Sequence, residues 1–391
     1  MTDHLGQSQV IAYLRQLASH CHGFSLISFE KPERYRNVSD SVREMISGKN
    51  INWYPMRYTK YPLILSTLGD LLLCFGKAFF LNTRYKFHII HCRSHFPAIV
   101  GLIMKRFFGA KFIFDMRGWW VDEKLESGHW KSWLFKPVYH LLKWLEKQSL
   151  LCSDHLVVLT YSTRNELLQR FPQLAERISV IPTCVDFEFF GEFSNEARVE
   201  IRSSLNISEE TTVMVYSGSF GGNYEMASLL RLFQVFIERY PSGQFIVLSK
   251  TNPQLVSEKL SMYGSLNDKL HLLSVEYGEV HRYLSAGDLG AIFYRGDWST
   301  LGRSPTKLAE YWACGLPVLA QELVGDLSHL KELYPHALTL VDNVSKDSLE
   351  KALKKMPLKV EKSELKHAAQ EYFGIDNGVH SYREIYSLLA R

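Results

Sequence analysis

The sequence predicts an α/β protein built from two doubly wound, Rossmann-like domains. Three observations carry that expectation. Short apolar runs alternate with amphipathic helical patterns along almost the whole chain. The runs are rich in Val, Ile, Leu and Phe and barely alternate with polar residues, as parallel strands covered on both faces read. A length of 391 residues exceeds what one ordinary core takes up and suits two domains of average size.

Taken in order, the predicted strands of the first domain are Phe24–Phe29, Phe87–His91, Lys111–Asp115, His155–Leu159 and Ile178–Ile181. Those of the second are Thr212–Ser217, Gln244–Leu248, Leu270–Leu273, Leu289–Phe293, Pro317–Ala320 and Ala337–Leu340. Helical patterns lie between them, among them Pro97–Phe108, Glu225–Tyr240 and Lys307–Cys314. The resulting βαβ rhythm is that of doubly wound sheets. The boundary is expected after the turn-like Ile181-Pro182-Thr183-Cys184-Val185-Asp186. This divides the chain into residues 1–188, residues 189–372 and a last helix over 373–391 that packs back on the first domain. One departure stands at the start. Leu5–Gln9 reads as the tight glycine turn, and Val10–Ala18 as the helix, that follow the first strand of such a domain, yet no strand precedes them. A start upstream of Met1 is the expectation, because a lost central strand would expose apolar sheet edges.

Composition narrows the function. A formal net charge of +4 is too small to argue for a nucleic-acid partner. No two of the six cysteines form a Cys-x-x-Cys pair or a zinc-like cluster. Their apolar settings suit small buried hydrophobes in a reducing cytoplasm. Met1–Gln9 is polar, unlike a secretory leader. Pro62–Leu81 is the longest apolar stretch, but Asp70 and Lys77 interrupt it. A spanning helix needs about 20 apolar residues with few or no charges, so a buried helix is expected there. Aromatics reach 13%, which suits a ligand-rich cleft or an interfacial surface. Trp130, Lys131, Trp133, Lys136, Lys143, Trp144 and Lys147 alternate aromatic and basic residues in a helical region. That pattern suits peripheral contact with an anionic membrane surface and equally a solvated helix face.

No G-x-G-x-x-G follows a strand, which argues against a dinucleotide enzyme. The nearest segment is Ser217-Gly218-Ser219-Phe220-Gly221-Gly222-Asn223, between a strand and a helix. Its glycines allow close backbone approach, so Gly218, Ser219, Gly221 and Gly222 could cradle a phosphate; a tight turn with nothing bound is the alternative. A longer signal runs from Gly302 to Ala320. Ser304 is placed to cap a helix whose first turn holds Pro305, and Gly315 and Pro317 end it. Lys307 adds positive charge where the helix dipole is already positive, which asks for a bound polyanion. Glu310, one turn later on the same face, could accept hydrogen bonds from a ribose diol; a plain surface ion pair is the alternative.

This stretch resembles the donor-binding signature of the retaining group 1 (family 4) glycosyltransferases, which runs roughly S-P-x-K-x-x-E-Y-x-A-x-G-x-P-V. Weaker likenesses cover most of the rest. Leu5–Tyr13 is similar to the family's acceptor-side loop and His91-Cys92-Arg93-Ser94 to its His-bearing loop. Asp115-Met116-Arg117-Gly118-Trp119-Trp120-Val121-Asp122-Glu123 is similar to a subgroup's D-x-R-G-x-x-x-D-E, and Ile181–Asp186 to I-P-N-G-V-D. The resemblance implies the GT-B fold, two domains facing across a cleft. It also implies a sugar moved from a nucleotide diphosphate to a saccharide or lipid-linked saccharide, with retention, no metal and no other cofactor. Two departures bear on the donor. Gly302 stands where the family has the first Glu of Glu-x(7)-Glu, and Ser219 and Tyr224 replace an Arg/Lys pair. Arg303, Ser304, Thr306, Lys307 and Glu310 then carry the donor site. His91, Lys307 and Glu310 form the expected catalytic set. Gly6, Gln7, Arg93, Asp115, Arg117, Asp122 and Glu123 form the acceptor side, with Trp119 and Trp120 available to stack on sugars. A sugar-nucleotide 2-epimerase and a non-catalytic subunit of the same fold are the rival readings. Cell-surface polysaccharide synthesis is the expected setting.

Overall fold

The structure, a computed structural model, describes residues 1–19, 23–130, 132–219, 226–252 and 267–391. The chain forms two compact units, Met1–Thr183 together with Ile375–Arg391, and Cys184–Gly374.

The second unit is a six-stranded parallel sheet. Its strands are β7 (Val213–Ser217), β8 (Gln244–Leu248), β9 (Leu270–Leu273), β10 (Leu289–Ile292), β11 (Val318–Gln321) and β12 (Leu338–Val341), in the order β12-β11-β10-β7-β8-β9. The chain winds outward from β7 to β9, returns to the other side of β7 at β10, and winds outward again. That reversal between β7 and β10 is the point at which open α/β sheets bind ligands, beyond the carboxyl ends of the strands. Alternate residues of β7 serve opposite cores. Val213 and Val215 join Ile246, Leu284 and Leu308 on one face. Met214 and Tyr216 join Phe233, Phe236 and Phe245 on the other. With both faces dry, both sets must be apolar, and the strand reads as an unbroken run.

The first unit holds its strands in two pieces. β1 (Phe24–Glu30) pairs in parallel with β2 (Ile51–Arg57), and β3 (Ile89–Arg93), β4 (Lys111–Asp115), β5 (His155–Val158) and β6 (Ile178–Val180) form a four-stranded parallel sheet. Phe112, Phe114, Leu156 and Val158 centre the core of the larger piece. β1 and β3 are each an edge of their own sheet and are only partly buried. The last helix, Ile375–Leu389, belongs to this unit and packs on the helix Ala12–Ala18.

Three local expectations are corrected. Leu5–Gln9 is helical, not a tight turn. Asp3 accepts a hydrogen bond from the Gly6 amide, and a helix runs from His4 through a π-helical turn at Gln7–Ile11 into Ala12–Ala18. Gly6 itself has φ −61°, ordinary helical backbone, so the capping aspartate and not the glycine sets the local structure. β2 was not expected, because Asn52 and Pro55 break its apolar pattern. Proline is tolerated there because the two-stranded sheet leaves an edge on which its missing N–H is not needed. The apolar stretch after Tyr61 is a helix, Leu63–Tyr85, but it is not buried: only 17% of its most apolar 18-residue window is covered. Leu, Ile and Phe occupy every side of this helix, and the neighbouring protein covers one side.

Candidate functional site

In the second unit the site grows from the end of β7. Gly218 follows the strand with φ +144°, a backbone region that side chains rarely adopt. A Cβ there would lie 2.7 Å from Lys307 Nζ. The absent side chain is therefore what lets the lysine head rest against the loop. Tyr311 Oη accepts a hydrogen bond from the Ser217 amide at 2.8 Å and so fixes the strand end. The helix that carries Lys307 runs Thr306–Ala313 and is capped at Pro305. Ser304 is thus not the cap, because the extended Pro305, with ψ 110°, separates it from the helix.

Lys307 and Glu310 are both 6% exposed, which excludes a solvated surface pair. Lys307 Nζ sits 4.3 Å from the centroid of the Tyr216 ring and 5.9 Å from that of Tyr294, and the Arg303 guanidinium lies 5.2 Å from Tyr294. Aromatic faces attract cations without neutralising them. Tyr277 donates a hydrogen bond to Glu310 Oε1 at 3.0 Å. Burial pushes Lys307 down to about 7 against the pull of Glu310. Burial likewise pushes Glu310 up to about 7, against the hydrogen bond from Tyr277 and the charge of Lys307. Burial moves both groups toward neutrality at one place, which makes this a candidate functional position. Of the other residues expected here, Gly218, Ser219, Arg303 and Thr306 lie on these same segments, and Gly221 and Gly222 lie outside the described residues.

In the first unit a second cluster forms where β3 and β4 end, with Arg93 in register with Asp115. Asp115 is 1% exposed. It receives Arg93 Nη1 at 3.3 Å, Arg117 Nη1 at 3.4 Å and Tyr382 Oη at 3.1 Å, and His91 Nε2 stands 3.6 Å away. His91 Nδ1 shares a 2.8 Å hydrogen bond with Tyr386 Oη. Burial alone would raise the carboxyl, but Arg117, His91 and Arg93 hold it well below the usual range. Burial and the Asp115 charge keep the Tyr382 phenol protonated, hence a donor. The structure therefore brings together His91, Arg93, Asp115 and Arg117.

The other acceptor-side candidates lie apart from this cluster. Asp122 receives Lys143 Nζ at 2.9 Å and Tyr139 Oη at 3.1 Å. Lys143 also bridges to Glu146, which holds His95 at 2.8 Å. Asp122 thereby fastens its short helix, Trp120–Glu126, to the helix Lys136–Cys152; Glu123 is its neighbour in that short helix. Gly6 and Gln7 are in the first helix, which reaches the cluster through Tyr13, whose ring is 5.6 Å from that of Tyr382. Trp119 is buried in packing, which leaves it no face for a sugar, and Trp120 is half-buried. Trp119 is buried beneath Lys143 and Arg170, and Trp120 is wedged among His95, Phe96 and Trp130. Tyr13 ends the Leu5–Tyr13 stretch likened to an acceptor-side loop, but nothing in the sequence singles out Tyr277, Tyr382 or Tyr386. Tyr382 and Tyr386 are spaced one helical turn apart, a signal that reads first as a core stripe.

Comparison with known proteins agrees with this architecture. The family model described as Glycosyltransferase Family 4 matches residues 6–189. The chain is similar in structure to sucrose-phosphate synthase from Thermosynechococcus elongatus, with TM-score 0.68 and 15% identity over 94% of this chain and 99% of that one. It is similar to Anabaena HepE in complex with UDP and glucose, with TM-score 0.66 and 14% identity over 93% and 99%. It is also similar to WaaG, a glycosyltransferase involved in lipopolysaccharide biosynthesis, with TM-score 0.61 and 13% identity over 91% and 98%. No curated protein sequence matches the chain. The family 4 glycosyltransferase model thus matches the first unit, and the likeness to these structures over nearly the whole chain gives it the GT-B fold.

Proposed function

We propose that the second unit binds a nucleotide-diphosphate sugar and the first unit a saccharide or lipid-linked saccharide acceptor, in the assembly of a cell-surface polysaccharide. The observation that carries this is the buried Lys307–Glu310 pair behind Gly218. A lysine held down near neutrality is a site waiting for negative charge, and a diphosphate would restore its proton. The UDP bound to HepE and the role of WaaG in lipopolysaccharide biosynthesis support this choice of donor and setting.

In this reading Lys307, Arg303 and the amide end of the Thr306–Ala313 helix take the diphosphate, and Glu310 takes the ribose diol. As the bond from the anomeric carbon to the phosphate oxygen breaks, the leaving diphosphate gains charge, which Lys307 offsets without a metal ion. The acceptor hydroxyl forms the new bond on the same face and gives its proton to the departing phosphate, so configuration is retained. His91, held by Tyr386, orients that hydroxyl, and Arg93 and Arg117 bind neighbouring polar groups of the acceptor. The site of action in this reading is cytoplasmic, where the thiols of Cys74, Cys92, Cys152, Cys184 and Cys314 would stay reduced.

A thermal-shift series with UDP-, GDP- and ADP-sugars tests the donor site, since a ligand of the native state raises its melting temperature. One nucleotide class is expected to shift the wild type. Lys307→Ala and Glu310→Ala are expected to melt cooperatively and show no shift. Normal donor binding by both variants would remove the assignment.

A further inference from the structure

The helix Leu63–Tyr85 presents an apolar stripe that its own unit leaves uncovered. Leu65, Leu68, Leu72, Phe79 and Phe80 recur at helical spacing along one side, with Leu65 68% and Leu72 71% exposed. Phe79 meets Phe108 edge-on at 5.2 Å, and beside Phe108 the exposed ring of Phe107 widens the surface. A contiguous apolar patch of this kind marks an interaction site.

The ends of the stripe identify the partner. At one end stand Arg57, Lys60 and the exposed rings of Tyr58 and Tyr61, and at the other Arg84, Tyr85 and Lys86. Lys60 lies over the Tyr61 ring and Arg84 over the Tyr85 ring. Apolar residues between paired tyrosines and cations match the layers of a bilayer interface: acyl chains, then the glycerol level, then anionic headgroups. From Arg57 to His91 there are five Lys or Arg and one acid, Asp70. Asp70 accepts from the Thr59 amide at 3.2 Å. A second copy of the chain is a poor partner by the same inventory. Two such helices laid together, parallel or antiparallel, set cations against cations at both ends.

We infer that this helix lies in the surface of an anionic membrane, its Leu65–Phe80 stripe in the acyl region and its flanking cations on lipid phosphates. It lies on the bilayer and does not cross it. Its other side packs on the helix His95–Phe108, with Ser66, Leu81 and Asn82 buried and Lys77 held 4.6 Å from the Tyr54 ring centroid. An interfacial helix sinks about 5–10 Å into the headgroup boundary, a depth that one exposed side provides. The inference stands apart from the donor site, and its readout is separate.

The full chain is mixed with vesicles of phosphatidylcholine alone, or with added phosphatidylglycerol, and sedimented. Capture by the anionic vesicles is expected, weaker at high salt and weaker still on phosphatidylcholine. The variant Leu65→Gln, Leu72→Gln, Phe80→Gln is expected to lose roughly a hundredfold or more in partition, because each substitution removes several acyl-buried carbons. It should keep the melting temperature of the wild type and its response to nucleotide sugars. Lys60→Glu, Arg84→Glu, Lys86→Glu is expected to abolish the preference for phosphatidylglycerol. Undiminished capture of the glutamine variant would overturn the inference. So would a wild-type dimer in gel filtration that this variant dissolves while neither protein is captured, since a second copy would then cover the stripe.

Discussion

Each charged cluster holds a buried carboxyl, and the two are shifted in opposite ways. Asp115 has two guanidiniums, an imidazole and a phenol around it, and its carboxyl is driven well below the ordinary range despite almost complete burial. Lys307 has two aromatic rings and one carboxylate that is itself pushed toward neutrality, and burial prevails for both members of the pair. The difference teaches that burial alone does not decide the charge of such a group; the charges and hydrogen bonds set against burial decide it too. The first cluster is complete in the free protein. In the second, burial draws both members toward neutrality, and a bound anion would favour the charged lysine.

Removing the central carboxylate attacks the complete cluster. Asp115→Ala leaves the half-buried guanidiniums of Arg93 and Arg117 beside each other without their shared carboxylate, and a loss of about 3 kcal/mol in denaturant stability is expected. A loss below about 1 kcal/mol would mean that water already screens the cluster.

The incomplete cluster is expected to respond in the opposite direction. The double variant Lys307→Met, Glu310→Gln should be more stable than wild type by about 1–4 kcal/mol near pH 7 while losing donor binding. Its pH dependence sharpens the comparison. Glu310, raised from 4.5 to about 7, contributes stability that is present below pH 4.5 and lost as pH rises to 7. Lys307, lowered from 10.5 to about 7, contributes stability that is present above pH 10.5 and lost as pH falls to 7. The excess stability of the double variant should therefore peak near neutrality and narrow on both sides. Urea titrations of both proteins between pH 5 and pH 9 read this directly; a flat difference would mean that the pair is solvated.

The smallest effect is expected from Tyr386→Phe, which removes one hydrogen bond from His91 Nδ1. A cost of about 1 kcal/mol is expected, with kcat lowered more than KM is raised if the tyrosine fixes the ring for an acceptor. Equal activity of the two proteins would reduce Tyr386 to a packing residue.

How much of this the sequence carried depends on where the determining contacts lie. The strands of the second unit were readable because each is covered on both faces, so its apolar run depends on nothing distant. β2 was not, because Pro55 and Asn52 are local contradictions that only an edge position resolves. The Leu63–Tyr85 helix was readable as a helix but not as an exposed one, since exposure is a property of its neighbours. Lys307 and Glu310 were legible because a lysine in the first turn of a helix is locally unfavourable. Tyr382 and Tyr386 were not. Their partners, Asp115 and His91, stand 267 and 295 residues away, and no local pattern encodes that meeting.

The bare backbone at Gly218 also sets a limit on how this protein can vary. A methyl group there would meet the ammonium of Lys307 at 2.7 Å. Alanine would thus dislodge the lysine while leaving every ionisable side chain in the sequence. The lysine end could swing aside, but a side chain at φ +144° is strained whatever the space, so the backbone itself asks for glycine.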